Sequence, residues 1–218
     1  MKHFGPQGWW PIGGIYSLSK KHLKDEEKFE IMIGAILTQN TAWNNVEKAL
    51  SNLRKANCLT IEKISKISLK KLQVLIKPSG FYRQKAKRLK NLANSIKPIE
   101  NLTREYLLSL NGVGPETADS IMLYALGKTY FVIDAYTKRL VNRLGIFNSN
   151  KYEELRKFFE KNIPKDVEIY KEYHALVVTL AKNFCKKKPE CMDCPIASFC
   201  KNRGRKNEIR GNFCNGSK

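Results

Sequence analysis

The chain has 218 residues, with 40 Lys+Arg against 20 Asp+Glu and a formal net charge of +20. Such an excess, spread through apolar-patterned segments rather than gathered in a tail, points to a polyanionic partner, nucleic acid before an anionic membrane. The longest apolar run, Ile31 to Leu37, is too short to cross a bilayer. Met1 to Tyr16 is interrupted by Gly and Pro where a secretory segment needs a continuous apolar core. The expectation is therefore a cytoplasmic monomer, in which clustered cysteines bind metal rather than pair as disulfides.

The pattern predicts helices almost throughout, and an all-α fold. Phe29, Ile31, Met32, Ile33, Ala35, Ile36 and Leu37 form a nearly all-round apolar helix, expected at the centre. Trp43 to Leu53 reads as amphipathic, Ile61–Ile67 and Leu69–Ile76 as two short helices, and Pro78-Ser79-Gly80 as a break. Gln84 to Ile96 is a strongly basic helix, and Arg83, Lys85, Lys87 and Arg88 at its start are expected near phosphates. Thr103 caps a helix to Leu110. After the turn Asn111-Gly112-Val113-Gly114, Pro115 opens a helix to Leu126, ended by Gly127. Tyr130 to Ile133 is a short extended run. Asp134 then opens a helix through Leu144, closed by Gly145. Tyr152–Lys161 and Val167–Phe184 complete the series, and His174 reads as a satisfied core histidine.

Three features carry chemistry. In the turn, Gly112 and Gly114 let backbone approach a ligand around Val113, and the following helix offers unpaired N–H groups and a positive dipole end that suit a phosphate. A plain helix–helix turn would use the same residues. Asp134 reads both as an N-cap and as a carboxylate able to stabilise a positively charged sugar or deprotonate a nucleophile. Finally, Cys185, Cys191, Cys194 and Cys200 form C-x5-C-x2-C-x5-C. Zinc usually takes two C-x2-C pairs with a longer spacer, so a [4Fe–4S] cluster is the better reading. Cys58 reads as a small core residue and Cys214 has no assigned role. The tail from Lys201 to Lys218 is expected to be partly disordered.

Taken together, Leu110-Asn111-Gly112-Val113-Gly114, Val132-Ile133-Asp134 and Leu37-Thr38-Gln39-Asn40-Thr41 resemble the endonuclease III superfamily of helix-hairpin-helix DNA glycosylases, in the family's order over roughly residues 26 to 200. The resemblance implies two lobes, a helical barrel of residues 26–129 and a second lobe of 1–25 with 130–218 that holds the cluster. It implies Asp134 as the catalytic carboxylate and double-stranded DNA with a damaged base as the partner. Gln39 would fill the gap left by a flipped base, and the basic loop Lys186, Lys187 and Lys188 would face the DNA backbone. Phe81, an aromatic after Gly80 at a loop tip, is a candidate wedge. The family commonly has a first cysteine gap of six, against five here.

Bifunctional members place a Schiff-base lysine two residues after the second hairpin glycine. That position is Glu116, eighteen residues before Asp134, and a carboxylate cannot form a Schiff base. With Trp9-Trp10-Pro11 and Gln39-Asn40-Thr41-Ala42-Trp43, the chain resembles most the 3-methyladenine DNA glycosylase branch, some members of which lack the cluster. Trp10, Pro11 and Trp43 are then the expected pocket for an alkylated, positively charged purine; ordinary core packing is their other reading. Two alternatives stay open: a bifunctional endonuclease III acting on oxidised pyrimidines, and a non-catalytic iron–sulfur DNA-binding module.

Overall fold

The computed structural model describes residues 3–17, 22–96 and 98–202. It is helical, and among the described residues the only β-type pairing is an isolated bridge between Ile12 and Ile15. The apolar run forms α1 (Asp25–Leu37), in which every residue from Phe29 to Leu37 is buried. With no polar face to give to water, α1 has to lie inside. It packs against α2 (Trp43–Lys55), α5 (Tyr82–Ser95) and the segment that follows the hairpin. Between α2 and α5 come the short α3 (Ile61–Lys66) and α4 (Leu69–Leu75), which pack on α5.

Helix starts follow cap chemistry. Thr60 caps α3, Ser68 caps α4, Thr103 caps α6 (Arg104–Ser109) and Asp166 caps α10 (Val167–Asn183), each side chain accepting from the backbone N–H three residues on. α5 starts at Tyr82, two residues earlier than the basic pattern suggests, because Phe81 takes a left-handed conformation (φ 44°, ψ 28°) that turns the chain into the helix. The helix after the hairpin is not uniform either. α7 (Pro115–Ser120) passes into a π-helical turn, Ile121–Ala125, whose five residues are all buried.

Two corrections concern buried polar groups. Lys85, expected near phosphates, is 1% exposed and lies in the interior. His174 is buried as expected, but its Nε2 has no hydrogen-bond partner, so it is not a satisfied core histidine. Cys58 is buried, its thiol donating to the Ala56 carbonyl at 3.1 Å. Cys214 and the tail beyond residue 202 lie outside the described residues.

A buried ionic cluster crosses the expected boundary between lobes. Asp119 of α7 has no exposed surface. It accepts from Arg104 Nε at 2.5 Å and from the Tyr152 hydroxyl at 2.9 Å, with Arg156 at 3.9 Å. Tyr152 and Arg156 belong to α9 (Tyr152–Asn162). Arg156 also pairs with Glu153 and Glu160, and Glu160 accepts the Phe131 N–H at 3.0 Å. Three helices and the extended run therefore meet around one carboxylate. The N-terminal segment touches both sides as well: Gln7 bonds to Glu172 and Thr179 of α10, while the Gly13 N–H bonds to Glu30 of α1. Among the described residues no helix is long and apolar enough to cross a membrane.

Removing Asp119 leaves two largely buried guanidiniums with fewer partners, Arg104 with Glu153 alone and Arg156 with Glu153 and Glu160, and strips the Tyr152 hydroxyl of its acceptor. Asp119→Ala should therefore destabilise the protein by about 3 kcal/mol or more, read as a lower urea midpoint at unchanged slope. A loss below about 1 kcal/mol would mean that water screens the cluster.

Candidate active site and cysteine centre

Asp134 sits where the buried run Phe131–Ile133 ends and α8 (Ala135–Leu144) begins. Its Oδ1 caps the helix, accepting from the Thr137 N–H at 2.7 Å and the Thr137 hydroxyl at 2.8 Å. Its Oδ2 takes no part in the cap and faces His174 Nε2 at 3.7 Å. On the other side of the ring, His174 Nδ1 meets the hydroxyl of Tyr124, from the π-helical turn, at 2.7 Å. Burial alone would raise the Asp134 carboxyl. The His174 imidazole and the two Thr137 donors outweigh it and hold the group below its ordinary value.

Glu116 lies at the start of α7, open to solvent on one side. The surrounding protein withdraws bulk water from it, and this desolvation, followed by the charge of Asp134, pushes its carboxyl up; His174 and Lys138 oppose the shift. Two acids of opposite tendency thus share one region, one held ionised and the other biased towards its neutral form.

The hairpin is closed by the Val113 N–H bonding to the Leu110 carbonyl at 3.1 Å. Gly112 has φ +85°, and a Cβ there would lie 2.2 Å from Arg88 Nε. Gln39 is bound to this turn: its Nε2 donates to the Gly112 carbonyl and the Thr117 hydroxyl, both at 2.9 Å, and its Oε1 accepts from Arg88 at 2.5 Å. Phe81 stands at the start of α5, 64% exposed.

Trp10 and Trp43 pack edge to face at 5.2 Å, with Trp9 4.6 Å from Trp43. Trp10 also packs on Tyr124 at 5.4 Å, so this aromatic group adjoins the Tyr124–His174–Asp134 chain. Pro11 beside it is buried. Gly34 of α1 makes room, since a Cβ there would lie 2.9 Å from the Trp10 ring.

The four cysteines line one hollow with Leu140, Leu144 and Phe184. Burial pushes the Cys194 thiol up, opposed by a backbone hydrogen bond at Ile196 and reinforced by the neighbouring Cys185, Cys191 and Cys200. Among the described residues no group of three or more His, Cys, Asp or Glu side chains is arranged to hold a metal ion. Arg143 of α8 donates to Cys185 Sγ at 3.1 Å and to the Lys186 and Lys187 carbonyls, and Arg139 donates to the Cys185 carbonyl at 2.8 Å. Lys186, Lys187 and Lys188 are exposed, and Lys186 pairs with Glu190 at 2.8 Å.

Apart from Phe81 at the start of α5, the expected site residues thus fall into three groups: Asp134 with Glu116, the tryptophans and Pro11, Gln39 with the hairpin, and the cysteines with the lysine loop. Tyr124, Arg88, Arg139 and Arg143 were not anticipated in these roles. The i, i+4 spacing of Arg139 and Arg143 on the helix opened by Asp134 is a signal for that pair. Tyr124 and Arg88 left no such mark.

Residues 33–165 match the family described as HhH-GPD superfamily base excision DNA repair protein. The chain is 48% identical over 216 residues to a protein of Methanocaldococcus jannaschii named "Putative DNA repair glycosylase", with 92% of this chain and 91% of that one covered. Among solved structures it is similar to the 3-methyladenine DNA glycosylase of H. pylori bound to 1,N6-ethenoadenine (35% identity, TM-score 0.66, covering 71% and 84%). It is also similar to an endonuclease III in a non-covalent complex with DNA (26% identity, TM-score 0.71, covering 84% and 86%).

The two carboxyls have opposite linkage to stability. Asp134 contributes stability that is complete above its unfolded pKa and is lost as the pH falls through its lower folded value. Glu116, shifted upward, costs stability as the pH rises from its unfolded pKa through the folded one. Carboxyl NMR titration should show Asp134 below and Glu116 above their ordinary values, with Asp134→Asn moving Glu116 downward. An unmoved Glu116 would mean that the two charges do not interact.

Proposed function

The chain belongs to the HhH-GPD superfamily of base excision DNA repair proteins, and from that premise we propose that it is a monofunctional DNA N-glycosylase. It hydrolyses the bond between a damaged base, of the alkylated-purine class, and deoxyribose in double-stranded DNA. The observation that carries this reading is the pairing of Asp134, whose Oδ2 is free of the helix cap, with Glu116 where a Schiff-base amine would stand.

Departure of the base leaves positive charge on the sugar, and an ionised carboxylate stabilises that charge. The free Oδ2 of Asp134 can also accept a proton from the attacking water as the C–O bond forms and the C–N bond breaks. Tyr124 and the two Thr137 donors hold the His174–Asp134 pair in place. Glu116 offers no amine, so the reaction ends at base removal. A cationic alkylated purine is already a good leaving group, and Trp10, Trp43 and Pro11 offer it aromatic and apolar faces. That reading agrees with the likeness to a glycosylase bound to an ethenoadenine. In DNA, the Gly112–Gly114 turn grips a phosphate, Gln39 fills the vacated position and Phe81 wedges the opposite strand.

Cys185, Cys191, Cys194 and Cys200 are chemically suited to hold a [4Fe–4S] cluster, which would act as a structural clip. Arg139 and Arg143 anchor the loop between the first two cysteines and leave its lysines outward, towards phosphates.

Asp134→Asn separates charge from fold, because Asn caps a helix as well as Asp does. Base release from duplexes carrying 3-methyladenine or 7-methylguanine should fall by about 100-fold or more, with helical content kept. Unchanged release would remove Asp134 from the chemistry, and no release from the wild type with any damaged duplex would favour the non-catalytic module. Borohydride should trap no covalent adduct with the native enzyme; an adduct would establish the bifunctional alternative. Anaerobically purified protein should contain iron and absorb near 400 nm (roughly, for thiolate–iron charge transfer). Stoichiometric zinc without iron would refute the cluster.

A further inference from the structure

Lys85 is charged, 1% exposed and without a carboxylate partner among the described residues: the electrostatic influences on it are burial and the like charge of Arg88. Burying an ammonium is costly, and a methionine would fill the same space without that cost. What the lysine adds is donors. Its Nζ donates to the Leu37 carbonyl at 2.8 Å and to the Ser79 carbonyl at 2.7 Å. Leu37 ends α1, whose last turn has no basic residue of its own, so Lys85 brings a cation from another helix to that negative dipole end.

The two carbonyls share a position. Leu37 lies two residues before Gln39, and Ser79 two residues before Phe81. The Lys85 backbone N–H also bonds to the Phe81 carbonyl at 3.0 Å, next to a left-handed aromatic residue whose conformation needs support. One turn further along α5, Arg88 holds Gln39.

We propose that Lys85 is a positioning residue for strand insertion, a buried ammonium that fixes together the two backbone segments from which Gln39 and Phe81 project. The proposal rests on the reading of those two side chains as gap-filling and wedge. Both must meet one lesion, and a 1 Å error in such placement is worth up to about 100-fold in rate. Burial and Arg88 bring the Lys85 pKa down to about 8, which leaves the donor protonated at neutral pH.

The probe is a duplex with a tetrahydrofuran abasic site and 2-aminopurine opposite it, whose fluorescence reports unstacking on binding. Gln39→Ala and Phe81→Ala should each at least halve the fluorescence rise of the wild type. Lys85→Met, with helical content intact, should do the same and weaken binding by about 10-fold. Coupling through shared partners makes losses non-additive, so adding Gln39→Ala or Phe81→Ala to Lys85→Met should weaken binding by less than about 3-fold more. If the two alanine variants lower the signal and Lys85→Met does not, or if the double variants show full additivity, the role of Lys85 is refuted and the gap-filling reading stands. If neither alanine variant changes the signal, the gap-filling reading fails and the proposal falls with it. Should Lys85→Met not fold, the wild type decides. The 15N ammonium resonance of Lys85, identified by its proximity to Leu37 and Ser79, should shift with the abasic duplex and not with undamaged DNA. An unshifted resonance overturns the proposal.

Discussion

The architecture depends on a carboxylate that has no access to water. Asp119 is tolerable inside the protein only because Arg104, Tyr152 and Arg156 surround it, and these come from α6 and α9. The cluster therefore does more than stabilise. It fixes α7, which carries the hairpin and Glu116, against helices on both sides of Asp134 in the chain. Tyr130 completes it, with Arg104 and Arg156 at 5.8 Å and 5.6 Å from its ring. A weaker tie would leave the hairpin and Asp134 free to drift, and the proposed reaction, which needs both in register, tolerates little drift.

Against that frame, Asp134 divides its labour by atom. Oδ1 serves the fold as a cap, while Oδ2 is left free of the cap beside His174. The cap and the proposed catalytic role are compatible, since a rigid cap holds the second oxygen in place. The π-helical turn belongs to the same arrangement. It carries Tyr124, which bonds to His174 on one side and packs on Trp10 on the other, so the aromatic group and the acid are joined through one side chain.

The net charge of +20 is not a uniform coat. On α5, Lys85 is turned inward to carbonyls and Arg88 to Gln39 and the hairpin, while on α8 Arg139 and Arg143 are committed to the cysteine loop. Some of the positive charge thus holds loops of the protein itself in place and is not free to meet phosphates. Counting lysines and arginines correctly suggests a polyanion but overstates how many can contact it.

By itself the sequence determined what local chemistry controls. Thr103 and Asp134 mark helix starts in the sequence because such side chains satisfy orphan N–H groups from within the same few residues, and the structure adds Thr60, Ser68 and Asp166 by the same chemistry. The unbroken apolar run of α1 could only be central, and the glycine at 112 marks a turn that no side chain could enter. Tertiary structure alone decided which partners meet. Periodicity tells which face of a helix is apolar, yet it does not say what stands opposite. That is why Lys85 in a basic helix looked solvent-facing and is buried, why His174 looked self-sufficient and faces Asp134, and why nothing near Arg88 announced Gln39. Each of those contacts joins residues 40 to 49 positions apart in the chain, across an interface that exists only once the helices have packed.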